Sequence, residues 1–184
     1  MGITRWQRRE RQTLLQAKIF AAHRDRLCDP RDGREFDFFV MEAPDWVNVI
    51  ALTPQDQVVL VRQYRHGTES VTTEIPGGMV DAGEQPLAAA QRELREETGY
   101  GAAAWELLGT VEPNPAFQTN RTYTYLARGA RCLGPQQPDE NEQLEVLERP
   151  LAAIPAMLAD GRISHALVFA AFTHLALAGG LRLA

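Results

Sequence analysis

Residues 78–100 read GMVDAGEQPLAAAQRELREETGY, and this stretch decides the fold. Gly77, Gly78 and Gly83 make its approach a loop free to turn sharply. Pro86 suits the first turn of a helix, where its missing N–H costs nothing. Residues 86–98 are rich in Ala, Leu, Glu, Gln and Arg, all good helix formers, and Gly99 supplies a C-terminal stop. The pattern predicts a helix over 86–98 with Leu87, Ala90 and Leu94 on its buried side. Glu93, Glu96 and Glu97 lie three and four residues apart, so they share another face.

That acidic face asks for an explanation. Like charges at helical spacing disfavour a helix by about 0.2–0.5 kcal/mol per pair. Arg92 and Arg95 offset part of the repulsion. A hard divalent cation offsets far more, because carboxylate oxygens are the ligands Mg²⁺ prefers. The plain alternative is a solvated acidic face. The glycine loop, Glu84 and the Arg-Glu-x-x-Glu-Glu run occurring together favour the metal.

Gly78, five residues, Glu84, seven residues, then Arg92-Glu93-Leu94-Arg95-Glu96-Glu97-Thr98-Gly99-Tyr100 resembles the complete Nudix box. Only Tyr100 departs from it, at a position where an aliphatic residue is usual. The resemblance spans roughly residues 18–178 and implies an α/β/α sandwich with a mixed sheet and the box as loop–helix–loop. It implies Glu84, Glu93, Glu96 and Glu97 as metal ligands, with the carbonyl of Gly77 beside them and Mg²⁺, or Mn²⁺ as substitute, as the cofactor. Arg92 is expected to pair with a box glutamate.

The chain's 184 residues are enough for one domain with an extension: an arm and β-hairpin over 1–41, then a hydrolase domain over 42–184. A net charge of −5 gives no sign of general nucleic-acid binding. Two cysteines, Cys28 and Cys132, with no apolar signal core at the N-terminus, point to reduced thiols in the cytoplasm. The basic residues 1–16 read as a mobile or loosely docked arm. Residues 18–27 and 34–41 read as strands about the turn Pro30-Arg31-Asp32-Gly33. Phe36, Phe38, Phe39 and Val40 are too apolar for a hairpin standing alone in water, which predicts a homodimer through this hairpin. Strands are expected over 46–52, 57–63, 105–110 and 121–127, and helices over 150–159 and 164–178. Val58 to Val61 is a continuous apolar run, as in a strand buried on both faces. The apolar run 165–178 is too short to span a membrane and predicts a buried helix.

Three features outside the box are similar to the ADP-ribose pyrophosphatase branch. Pro115 stands fifteen residues beyond the box, where that branch carries a proline. Arg62-Gln63-Tyr64-Arg65 resembles its Gln-x-Arg segment, which implies Arg65 on the substrate phosphates. Asp139-Glu140-Asn141-Glu142 resembles its acidic loop, which implies Glu140, or alternatively Glu142, as general base. Asn120 occupies the place of the acid that usually precedes Arg there, so another nucleoside diphosphate sugar, such as GDP-mannose, stays open beside ADP-ribose. Trp46 and Tyr64 are candidates for base stacking, and Glu74 for the substrate side. His23, His66, His165 and His174 have no metal-ligand spacing, and Ser70, Thr72 and Thr73 no nucleophile pattern. The implied reaction is metal-dependent hydrolysis of a nucleoside diphosphate sugar to a nucleoside monophosphate and a sugar phosphate. The alternatives are a Nudix hydrolase of a dinucleoside polyphosphate or damaged triphosphate, or a ligand-sensing module without catalysis.

Overall fold

Chain order in the computed structural model gives β1 (Gln7–Gln16), β2 (Ala21–Cys28), β3 (Glu35–Glu42), β4 (Trp46–Leu52), β5 (Gln57–Arg65), β6 (Ser70–Glu74), β7 (Gly77–Met79) and α1 (Pro86–Thr98). There follow β8 (Tyr100–Gly101), β9 (Ala104–Val111), β10 (Thr122–Arg128), β11 (Arg131–Cys132), β12 (Leu144–Pro150), α2 (Ile154–Ala159) and α3 (Ala166–Leu177). The structure describes residues 2–138, 140 and 143–182. Two compact units are formed, one from the chain up to Pro44 with Glu112–Arg121, the other from Asp45–Val111 with the chain from Thr122 onward.

The first unit is a three-stranded antiparallel sheet in the order β1-β2-β3. The expected hairpin is present as β2 and β3. The arm expected to be mobile is instead a strand, paired with β2 from Gln7↔Cys28 to Gln16↔Ala21. Its charges are what pair it. Arg11 forks onto Asp25 at 2.7 Å through both Nε and Nη2, and its Nη1 donates to Glu42 at 2.8 Å. Cross-strand ion pairs of this kind stabilise a ladder where apolar alternation is lacking. Within the same unit Met41 N–H donates to the carbonyl of Phe117 at 2.7 Å, and Thr119 N–H to that of Met41 at 3.1 Å.

The second unit is a mixed sheet in the order β12-β5-β4-β10-β9, with β4 and β10 parallel. The pleat sorts its apolar residues to two sides. Val47, Val49, Ala51, Val59 and Ala127 pack under Ala89, Ala90 and Leu94 of α1. Ile50, Leu52, Val58, Leu60 and Leu126 pack against Met157 of α2 and Val168, Ala171, Phe172 and Leu175 of α3. This is an α/β/α sandwich, and the run Val58–Val61 is buried on both faces. No helix among the described residues is long and apolar enough to cross a membrane.

One topological detail prepares the site. β4 and β5 pair only through Ala51↔Val59 and Leu52↔Val58, then separate. The chain between them fills the opening. β6 pairs with β5 as far as Val61↔Glu74, and β7 pairs with β4 at Asn48↔Gly77, Val47↔Gly78 and Trp46↔Met79. A Cβ on Gly77 would overlap the carbonyl of Val47, so this close approach requires glycine.

Candidate active site

α1 spans Pro86–Thr98, with Pro in its first turn and Gly99 at φ 75° closing it, as the sequence predicts. Its buried side is rotated from expectation. Leu87 is 39% exposed, whereas Ala89, Ala90, Leu94, Glu97 and Thr98 are buried. The core stripe therefore runs Ala90, Leu94, Glu97, and it carries one carboxylate into the interior. Glu97 is only 3% exposed. A buried carboxylate needs donors, and Gly77 N–H supplies one at 2.9 Å.

Arg92 is the hub of the other carboxylates. Its Nε and Nη2 fork onto Glu84 at 3.1 and 2.9 Å. Its Nη1 donates to Glu93 at 2.8 Å and to Glu96 at 3.1 Å, and Nη2 also reaches the carbonyl of Met79 at 2.9 Å. The hydrogen bond from Arg92 holds the Glu84 carboxyl below its usual range, and the Glu84 contact raises the guanidinium in turn. Glu84 also accepts Asp81 N–H at 3.1 Å, which closes the loop before the helix. Gly78 lies against Glu93 so closely that a Cβ there would overlap its carboxylate.

Arg65 forks onto Glu74 at 2.8 and 2.7 Å, and the Thr72 hydroxyl adds a bond to Glu74 at 2.6 Å. Burial pushes the Glu74 carboxyl up, but the Arg65 and Thr72 bonds outweigh it, so its pKa is lowered. The pleat puts Val59, Val61, Gln63 and Arg65 on the α1 side of β5 and Leu60, Arg62 and Tyr64 on the other. Glu74, opposite Val61, is on the α1 side as well. Trp46 alternates with Val47 onto the side of Ile50. Tyr64, which meets His66 edge-on, and Trp46 are therefore not brought to the carboxylates of α1. Thr72 stands two residues before Glu74 on the same face of β6, so their bond is local, whereas the turn of β5 into β6 is what brings Arg65 to Glu74.

Pro115 and Asn120 belong to the first unit. Pro115 is exposed within a turn closed by Gln118 N–H on the Asn114 carbonyl at 2.8 Å. Asn120 is 2% exposed, and neither amide atom has a partner among the described residues. Buried polar groups are as a rule hydrogen-bonded, so this amide calls for a partner such as water or ligand. Glu140 is exposed, and Glu142 lies outside the described residues.

Among the described residues no three His, Cys, Asp or Glu side chains form a ready-made metal site. The donor chemistry nevertheless suits a divalent cation. Glu84, Glu93 and Glu96 share one guanidinium, all their donors are hard oxygens, and the glycine at 78 leaves room only for the Glu93 carboxylate.

Comparison with known proteins agrees with this architecture. The chain is 33% identical to an ADP-ribose pyrophosphatase of Mycobacterium tuberculosis over 86% of this chain and 77% of that protein. It is 32% identical to a methanol dehydrogenase activator of Bacillus methanolicus over 94% of this chain and 96% of that one. A crystal structure of an ADP compounds hydrolase superposes with a TM-score of 0.85 at 24% identity, covering 98% of this chain and all of the other. The NUDIX domain model matches residues 43–172, which contain the box and both helical faces of the sandwich, and the chain belongs to the NUDIX family.

Proposed function

We propose that this chain hydrolyses the pyrophosphate bond of a nucleoside diphosphate sugar, giving a nucleoside monophosphate and a sugar phosphate. ADP-ribose is the first substrate to consider, and GDP-mannose or another nucleotide sugar the next. The observation that carries this reading is the gathering of Glu84, Glu93 and Glu96 on Arg92, with Glu97 on the same helix fixed to Gly77. The relative of 33% identity named ADP-ribose pyrophosphatase supports the substrate class.

In this reading Glu84, Glu93, Glu96 and Glu97, with the carbonyl of Gly77, hold a divalent cation, Mg²⁺ by preference or Mn²⁺. When bound, the cation supplies charge neutralisation for the phosphates and lowers the pKa of an attacking water. Arg92 keeps three of the carboxylates oriented. Arg65, forked onto Glu74 and 43% exposed, presents its guanidinium charge to a phosphate. Glu140, or Glu142 in its place, takes the proton from water.

The same reading includes a homodimer formed through the three-stranded sheet, and a reducing compartment. Exposed Phe36, Phe38, Phe39, Leu14, Leu15 and Ile19 support the first, and the free thiols of Cys28 and Cys132 the second. The deciding experiment is a panel of nucleotide sugars, dinucleoside polyphosphates and triphosphates assayed with Mg²⁺, Mn²⁺ or chelator, products resolved by chromatography. Metal-dependent release of a nucleoside monophosphate from a nucleotide sugar is expected. Cleavage of triphosphates alone would refute the substrate class.

A further inference from the structure

The end of the second unit away from the box holds a cleft of about 550 Å³. Leu52 ends β4, Asp56 lies in the turn to β5, Leu151 follows β12, and Leu181 and Arg182 follow α3, and all of them line it. Arg128, also in the lining, ends β10 level with Leu52, its parallel neighbour. β4 begins at Trp46, which pairs with β7 beside the box. The length of that strand therefore lies between the box and the cleft, about 20 Å at the usual rise per residue.

The chain builds this cleft with backbone bonds. Asp56 N–H donates to the carbonyl of Thr53 at 3.1 Å, and the Asp56 carbonyl accepts Leu151 N–H at 2.9 Å. The turn is thereby tied to the end of β12. After α3, Gly179 at φ 77° and the bond from Gly180 N–H to the Leu175 carbonyl at 2.9 Å form a Schellman motif that reverses the chain. The reversal lays Leu181 on the core and brings Arg182 to the cleft that Arg128 lines. Most arginines of this acidic chain meet a carboxylate, as Arg26 meets Asp37 and Arg162 meets Asp160. Among the described residues the guanidinium groups of Arg128 and Arg182 have no hydrogen-bond or ion-pair partner, and neither has the Asp56 carboxylate.

We propose that this cleft binds a nucleoside monophosphate. Two unpaired guanidinium groups suit a phosphate dianion, which also relieves their mutual repulsion. Asp56 is an acceptor only, so it takes hydrogen bonds from the ribose hydroxyls. Leu151 and Leu181 give an apolar wall for the base, and the volume is within the range of small-molecule pockets. With Asp56 present the cleft carries one net positive charge, which favours a monophosphate over a longer phosphate chain. Under the hydrolysis proposed above this ligand is one of the two products, held far from the box.

The test is isothermal titration of the full chain with AMP, GMP, CMP and UMP in chelator, which keeps a cation-dependent box site unloaded. At least one should bind with a Kd below about 1 mM. Arg128→Gln and Arg182→Gln should each weaken that binding roughly tenfold, the loss of a charged hydrogen bond, with circular dichroism unchanged. Ribose 5-phosphate and inorganic phosphate should bind several times more weakly, and Glu93→Gln in the box should change nothing. Binding by none of the four nucleotides overturns the inference. So does binding lost in Glu93→Gln and kept in both arginine variants, and so does inorganic phosphate binding as tightly as the nucleotides. The expected binding in a chain that cleaves no nucleotide sugar would refute the hydrolase reading and leave the cleft assignment standing.

Discussion

The carboxylate of Glu97 accepts the backbone N–H of Gly77 at 2.9 Å. The bond joins the core stripe of α1 to β7, the short strand that fills the opening between β4 and β5. It makes the buried glutamate a structural member of the sandwich as well as a candidate ligand. Glu97→Gln keeps an oxygen for Gly77 and loses the charge. The expected outcome is a folded protein, by circular dichroism, with less than about a tenth of the hydrolytic activity, a loss above ~1.4 kcal/mol of transition-state stabilisation. Greater retained activity contradicts the role of Glu97 as a ligand.

Gly78→Ala tests the same site from the strand side. The new methyl group meets the end of the flexible Glu93 side chain rather than backbone, so the fold survives and the carboxylate moves. Activity should fall about tenfold or more, with the unfolding temperature lowered by only a few degrees, as for a cost of roughly 1 kcal/mol. Isothermal titration with Mn²⁺ should show weaker binding. Unchanged metal affinity and activity would mean that Glu93 does not need its present position.

The Arg65–Glu74 fork gives a pH prediction. The folded-state pKa of Glu74 lies below its ordinary value of 4.5. A lowered folded pKa means stability that is present above about 4.5 and is lost as pH falls through the folded value. Thermal unfolding followed between about pH 6 and pH 3 should therefore fall more steeply for the unaltered protein than for Glu74→Gln. Near neutral pH Glu74→Gln should cost about 1–2 kcal/mol, a modest figure because Arg65 remains partly solvated. Parallel acid limbs for the two proteins would refute the assignment.

Glu140→Gln and Glu142→Gln separate the candidates for the base. A carboxylate held on a cation is a poor proton acceptor, so the base is sought outside the box. Loss of the general base should lower kcat by roughly 10²–10⁴ at saturating metal, with KM little altered. A normal Glu140→Gln beside a collapsed Glu142→Gln transfers the role. Two near-normal values return it to the box, with Glu96 first.

Light scattering tests the dimer. A mass of twice 20.5 kDa is expected at micromolar concentration. Phe39 is 65% exposed on the three-stranded sheet, and Phe39→Asp should shift the mass towards the monomer. A 20.5 kDa species for the unaltered chain removes the dimer from the reading.

Legibility in the sequence followed the range of the interactions. The helix at 86–98 and its glycine stop depend on neighbours a few residues away, and both appear as predicted. The strand at 46–52 matches β4, and the apolar run within β5 is buried as expected. β1 is not legible in the sequence because its run Arg8-Arg9-Glu10-Arg11 has no apolar alternation. Its partner Asp25 stands on another strand, fourteen residues from Arg11. The apolar spacing of α1 points to Leu87 as buried and the structure exposes it, since a stripe containing Glu97 looks polar until a donor for the carboxylate is known.

The sequence by itself determined the loop–helix form and the placing of residues 92, 93, 96 and 97, because spacing along one helix converts directly into shared faces, while Glu84, ahead of the helix, entered through the resemblance to the box. The order of strands and helices suggests the sandwich class, and the resemblance to the Nudix box implies the same. Only the tertiary structure decided that Glu84 meets Glu93 and Glu96 on one guanidinium, that Arg65 is locked by Glu74, and that Tyr64 and Trp46 face away from α1. Those outcomes depend on where β4 and β5 separate and on the strand inserted between them. That register is set by packing on both faces of the sheet, and a linear reading carries no term for it.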